Sequence, residues 1–219
     1  MTKNFCVLGS TGGSVFKQVW GLDADFRAAI KLVLADRPCG ALEFAAQNGI
    51  AHVQVAASGG ASLSDAILDE LVRHRIDFVF VFYTRLLGGA VCERYADRLV
   101  NFHPSLLPAC PGLHGFEDSV ASGALALGCT AHFVDRGTDT GPQIVQSVIK
   151  VDPLQRHAPG LRHSVFVHQC AQLLQVFRWL QADRVRRVDG VVRVDGGDYA
   201  GPGLHVPALD APVLAAVGL

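Results

Sequence analysis

The chain of 219 residues has one methionine, two tryptophans and three tyrosines, and only 18% of it is charged. The charges that are present nearly cancel, with 19 Lys+Arg against 20 Asp+Glu and a formal net charge of −1. Without a basic excess there is no field to hold nucleic acid, and without an acidic block there is no solvating tail. Six cysteines (Cys6, Cys39, Cys92, Cys110, Cys129, Cys170) show no CxxC spacing, which argues for reduced, packed thiols rather than a disulfide framework. The nine histidines include no HExxH or HxxxH, so no metal is expected. Long apolar runs are lacking too. The uncharged window from Leu99 to Phe116 is interrupted by Pro104, Pro108 and Pro111, which excludes an unbroken membrane helix. Met1-Thr2-Lys3 leads into a short apolar stretch that closes at Gly9, with no signal peptide. These absences predict a cytoplasmic protein that works on small molecules, with neither nucleic acid nor membrane as partner.

Hydrophobic residues are plentiful, at 50%. That supports a folded core, and the absence of repeats or a clear linker predicts one domain over 1–219, with a core of about 4–195 and a surface tail at 196–219. In the first half, short apolar runs alternate with helical patterns. Asn4–Leu8, Ala29–Leu34, His52–Val55, Phe78–Phe82 and Arg98–Phe102 read as strands; Val15–Leu22, Ala41–Asn48, a segment ending at His74 and Ala90–Ala96 read as helices. Gly49 closes the second helix, and Ser62 or Ser64 caps the third. Later, Cys129–Val134 and Gln143–Val151 read as strands, Leu161–Leu180 as a long helix, and Val185–Val194 as a hairpin turning at Asp189-Gly190. The pattern is α/β: a Rossmann-like, mostly parallel twisted sheet with helices on both faces, followed by the long helix and the hairpin.

In such sheets ligands sit beyond the carboxyl ends of the strands. Gly12-Gly13-Ser14 follows the first strand. It reads either as a nest of backbone N–H groups for a phosphate or as a tight strand-to-helix turn. The spacing is not GxGxxG and the P-loop lysine is missing, which disfavours a nucleoside triphosphate. Asn101 and His103 lie two apart at a strand end, so both side chains leave on the same side. An amide and an imidazole before a loop stiffened by Pro104 and Pro108 fit a preorganised oxyanion site; the alternative is a histidine that caps local backbone. Asp139, in the glycine-rich Asp135–Pro142 segment, can hold the imidazole's tautomer and charge, or be a solvated turn residue. Ser105 lies in no GxSxG elbow, and Cys110 and Cys129 have no visible activating partner.

The blocks Asn101-Phe102-His103-Pro104-Ser105-Leu106-Leu107-Pro108, Pro111-Gly112-Leu113-His114 and Gly128 through Asp135-Arg136-Gly137-Thr138-Asp139-Thr140-Gly141-Pro142 closely resemble those of glycinamide ribonucleotide formyltransferases. The likeness is strong from about Arg85 to Lys150 and collinear from Phe5 to about Val194. It implies the formyltransferase fold and transfer of formyl from 10-formyltetrahydrofolate, as co-substrate, to a primary amine, nominally glycinamide ribonucleotide in purine biosynthesis. Asn101, His103 and Asp139 match the family's catalytic trio. The resemblance also implies that Thr84, Arg85, Leu87, Val134, Asp135 and Thr138 hold the folate, and that Gly12, Gly13 and Ser14 hold the acceptor's phosphate. Gln169 stands where the family usually has a Glu for the ribose hydroxyls. Departures at Phe82, Gly13, Ser14 and Gln169 fall on the acceptor side. They leave open another amine, such as a sugar nucleotide or specialised metabolite, as do the further readings of a 10-formyltetrahydrofolate hydrolase and a catalytically silent binding protein. The resemblance leaves a monomer or a homodimer equally open.

Overall fold

The computed structural model describes residues 2–57, 62–155 and 159–219. They group into two compact units: 1–101 with 133–137, and 102–132 with 138–219.

The first unit runs β1 (Phe5–Gly9), α1 (Ser14–Leu22), α2 (Ala24–Ala29), β2 (Ile30–Ala35), α3 (Gly40–Gln47), β3 (Ala51–Gln54), α4 (Leu63–Arg73), β4 (Phe78–Phe82), α5 (Gly89–Arg94) and the start of β5 (Leu99–His103). The strands are parallel and ordered β5-β4-β1-β2-β3. All five residues of β1 are buried, as a central strand covered on both faces requires. Alternation along the strands divides the core. Cys6, Leu8, Leu32, Leu34, Val79 and Val81 pack with Ile67 and Leu71 of α4 and Val91 and Cys92 of α5. On the other face Phe5 and Phe26 stack on Phe80, and Phe16 of α1 meets Phe26 and Phe44. Helices therefore cover both faces of this parallel sheet, as the βαβ rhythm predicts.

The local signals act as their chemistry dictates. Ser62 caps α4 in a reciprocal box: its hydroxyl accepts from the Asp65 N–H (3.2 Å), and the Asp65 carboxylate accepts from the Ser62 N–H (2.9 Å). Gly49 follows α3 with φ +68°. The sequence reading leaves residues 23–28 unassigned, whereas the structure winds them into α2. There the Asp23 carboxylate accepts from the Phe26 N–H (2.7 Å), so one residue both ends α1 and starts α2.

The second unit contains the end of β5, α6 (Gly115–Ala121), β6 (Ala126–Phe133, less its last residue), β7 (Gln143–Lys150), α7 (Pro159–Gln181), β8 (Val185–Val188), β9 (Val191–Val194), β10 (His205–Val206) and α8 (Ala211–Val217). β6 pairs antiparallel with β7, and β7 with β10, so the mostly parallel architecture acquires antiparallel strands here. The β8–β9 hairpin turns at Asp189 (φ +51°) and Gly190 (φ +83°), both in the left-handed region that a tight two-residue turn demands.

The end of the chain differs from the expected surface tail. β10 pairs with β7, and Leu209 and the α8 residue Val213 are buried. The Asp210 carboxylate and N–H bond both ends of the Gln175 amide of α7 (3.0 and 2.7 Å). Proline and glycine between residues 201 and 207 mask this element in the sequence, because a two-residue strand has no periodicity to detect. Likewise α6 is missed, since Gly115–Ala121 is too short and too polar to show a helical stripe. No helix among the described residues is long and apolar enough to cross a membrane.

Candidate functional site

Within the second unit, His103 at the end of β5 has its imidazole almost wholly buried. Its Nε2 donates to the Cys110 carbonyl (2.8 Å), and its Nδ1 lies 3.4 Å from Oδ2 of Asp139. Both ring nitrogens thus face acceptors, one a carbonyl and one a carboxylate. The histidine and aspartate singled out from sequence are brought together.

Asp139 is the hub of this cluster. Its φ of +54° is unusual for a residue with a side chain, and three partners hold it there. Oδ2 accepts from the Gly112 N–H (2.8 Å) and faces His103, while Oδ1 faces Nε2 of His132 (3.5 Å). Burial works to raise the carboxyl's pKa. The hydrogen bonds from His132 and Gly112 and the charge of His103 outweigh it and hold the group below the usual carboxylate range.

Two members of this cluster escape the sequence reading. His132 is buried in β6 at a register shift, where Ala131 pairs Val145 but His132 pairs Gln143. Such a bulge re-aims a side chain, and a histidine breaking an apolar strand is the signal that was available. Gly115 opens α6 directly against His103: a Cβ there would clash with Nε2 and crowd the Cys110 carbonyl.

The loop after β5 is locked from below. Thr130 donates its hydroxyl proton to the Ser105 carbonyl (2.7 Å) and accepts from the Leu107 N–H (3.1 Å) and the Gln146 amide (3.0 Å). The Gln143 and Gln146 amides both donate to the Leu107 carbonyl. Ser105 is fully buried and donates to the Ala109 carbonyl, a structural hydroxyl rather than a nucleophile. Burial pushes the Cys6 and Cys129 thiols up, and Cys170 up to about 12, which makes all three poor nucleophiles near neutral pH. Gln169 on α7 donates its amide proton to the Phe102 carbonyl (2.8 Å), so this side chain is tied to β5. Thr138 is exposed beside Asp139.

In the first unit, Asn101 is the half-buried third residue of β5, opposite Val81 of β4. Gly13 precedes α1 in the left-handed conformation (φ +68°), and no side chain caps the helix, so backbone N–H groups at its start lack a capping side-chain acceptor. A side chain at Gly13 would meet Ala41 as well as the φ penalty. Ser14 begins α1, and Gly12 lies against Gly40 of α3. Phe82 ends β4, and its carbonyl accepts from the Ser10 N–H (3.3 Å).

The Thr84–Gly88 segment is pinned at both ends. The Thr84 N–H reaches the Ser10 hydroxyl (3.5 Å), and the Gly88 N–H donates to the Ser64 hydroxyl (2.7 Å). Arg85 pairs with Asp36 through Nε (2.8 Å). The Leu87 side chain belongs to the core with Val91 and Tyr95, and Val134 packs against that same cluster. The Val134 N–H donates to the Leu99 carbonyl, and the Asp135 carboxylate accepts from the Gly137 N–H (2.9 Å) in a tight turn.

Residues 3–171 match the family model described as formyl transferase. The phosphoribosylglycinamide formyltransferase of Bacillus subtilis is 31% identical over 185 residues, which cover 78% of this chain and 95% of the relative. That of Mycobacterium tuberculosis is 38% identical over 152 residues, covering 66% and 70%. The crystal structure of glycinamide ribonucleotide transformylase 1 from Symbiobacterium toebii superposes with a TM-score of 0.79 at 26% identity, covering 88% of this chain and 94% of that one.

Proposed function

Because the chain belongs to the formyl transferase family, with relatives named phosphoribosylglycinamide formyltransferase, we propose that it transfers a formyl group from 10-formyltetrahydrofolate to a primary amine, nominally glycinamide ribonucleotide. The observation that carries this reading is the buried His103–Asp139 pair on a strand that also carries Asn101. The folate supplies an activated one-carbon unit, and the residues supply the rest.

When the amine attacks, charge develops on the formyl oxygen. The Asn101 amide and the His103 imidazole leave β5 on the same side and donate to that oxygen. The Nε2 proton now given to the Cys110 carbonyl is the one the oxygen competes for. Asp139, kept ionised by His132 and Gly112, balances the charged imidazole and accepts the proton lost by the amine through a water. As the tetrahedral intermediate collapses, the C–N10 bond of the donor breaks and that proton is passed to N10 of the departing tetrahydrofolate. No covalent enzyme intermediate is needed, in keeping with buried thiols and a structural Ser105.

The reading extends to the ligand loops. Backbone N–H groups at Gly12, Gly13 and Ser14 hold the acceptor's phosphate at the start of α1. The donor lies along Thr84 and Arg85, with Leu87 and Val134 shaping the segment from the core side and Asp135 and Thr138 lining it by their backbone. Gln169 offers the ribose at most its amide oxygen, since its N–H is held by Phe102.

The test is an absorbance assay for deformylated folate with and without acceptors. Acceptor-dependent turnover with glycinamide ribonucleotide supports the full reading. Turnover with a different amine moves the acceptor, formate release without any amine makes the enzyme a hydrolase, and folate binding without turnover removes the activity.

A further inference from the structure

Three loops of the first unit meet at a single buried carboxylate. Asp36 follows β2 directly, and its side chain is only 2% exposed. It accepts two hydrogen bonds from the adjacent Arg37 (Nε to Oδ1 at 3.2 Å, Nη2 to Oδ2 at 3.0 Å) and forms an ion pair with Arg85 of the loop after β4, whose Nε lies 2.8 Å from Oδ2. The Ser10 hydroxyl in the loop after β1 also bonds it. Burial raises the pKa of this carboxyl, but the bonds from Arg37 and Ser10 and the charge of Arg37 win and hold it below the usual range. Strands β4, β1 and β2 are neighbours in the parallel sheet, so the carboxylate ties together the carboxyl-edge loops of three adjacent strands.

Those loops are the ones on which the proposed reaction depends. Ser10 begins the segment leading to Gly12-Gly13-Ser14, and its hydroxyl also receives the Thr84 N–H. Arg85 lies in the donor segment, and both guanidiniums stay about half exposed (48% and 60%) while their inner edges are pinned. Two guanidiniums on one carboxylate leave a net positive charge facing solvent. Without the carboxylate, two like charges would be left side by side.

We propose that Asp36 is a positioning residue that sets the donor-binding Arg85 and the phosphate-binding loop at once, coupling the two substrate sites. This rests on the formyltransferase reading above. It assigns to Asp36 a role in affinity rather than in the chemical step, because it touches neither reacting group.

The experiment measures binding of a non-reactive 10-formylfolate analogue by calorimetry, alongside steady-state kinetics, in wild type, Asp36→Asn, Arg85→Gln, the double variant, Arg85→Lys and Asp36→Glu. Asp36→Asn keeps the shape but turns an NH2 toward the arginines. The expected result is a tenfold or greater loss of analogue affinity and a comparable rise in acceptor KM, with kcat at saturation within threefold of wild type. In the Arg85→Gln background the same change should cost the donor less than threefold, since the group through which it acts is gone. Asp36→Glu should recover part of the affinity. If Asp36→Asn does not fold, Arg85→Lys decides: it keeps the charge, loses the Nε contact, and should bind the analogue at least tenfold more weakly. Unchanged affinity in either single variant, or an equal cost in both backgrounds, overturns the proposal. Failure of the wild type to bind the analogue would instead count against the donor assignment itself.

Discussion

The backbone of Gly115 lies so close to the imidazole of His103 that the Cβ of any side chain at position 115 would clash with Nε2 and Cε1. The helix α6 would welcome alanine, which is the better helix former. The added methyl must nonetheless push aside a buried ring held by Cys110 and Asp139, so Gly115→Ala should lower the thermal midpoint while leaving the protein folded, and kcat should fall by about a hundredfold, the scale of a 1 Å misplacement. Loss of structure in the variant, rather than loss of turnover alone, would show that the contact is merely packing.

His132 shares Asp139 with His103. Replacing it with alanine removes a partner that holds the Asp139 carboxyl low. The expected loss in kcat is about tenfold. The pH profile gives a sharper reading. Asp139's carboxyl is held below the usual carboxylate range, so in the wild type it stays ionised and does not limit activity in mild acid. In His132→Ala the acid limb should shift to higher pH; an unmoved limb would sever His132 from Asp139.

Asn101 is the amide of the proposed oxyanion site. Asn101→Ala should lower kcat by about two to three orders of magnitude, with a much smaller change in either KM. A fall of less than threefold would remove it from the chemistry.

Away from this cluster, His205 of β10 bonds the Ser147 hydroxyl (2.9 Å) and stacks near His168. Burial, and then the charge of His168, push its pKa down to about 4. Between pH 6.5 and about 4 the unfolded chain binds the extra proton and the folded one does not, so stability falls as pH falls through that window. The thermal midpoint of His205→Gln should drop less between pH 7 and 4.5 than that of the wild type. Equal drops would mean that β10 does not titrate with this ring.

Much of this was legible in advance, for identifiable reasons. Phe78–Phe82 is an uninterrupted apolar run, and it is β4; Asp189-Gly190 demands positive φ twice, and it turns the hairpin. The approach of Asp139 to His103 was foreseeable because His103 ends an apolar strand and Asp139 stands in a glycine-rich loop free to approach it. Asp36 could not, because a lone acid after a strand looks like any turn residue until the fold brings Ser10 and Arg85 to it from 26 and 49 positions away. Gly115 was hidden for a similar reason: its constraint comes from His103, and nothing local marks it. The short β10 and α8 lack periodicity, so composition alone suggested a tail.

Asn101, His103 and Asp139 are proposed to act together on one migrating formyl group. The most direct test is a single-turnover experiment with isotopically labelled 10-formyltetrahydrofolate and glycinamide ribonucleotide, comparing the wild type with His103→Gln. The label should appear on the amine with the wild type, and the rate should fall at least a hundredfold in the variant, with folate affinity within about threefold. Equal rates of label transfer by the two proteins would contradict this joint action.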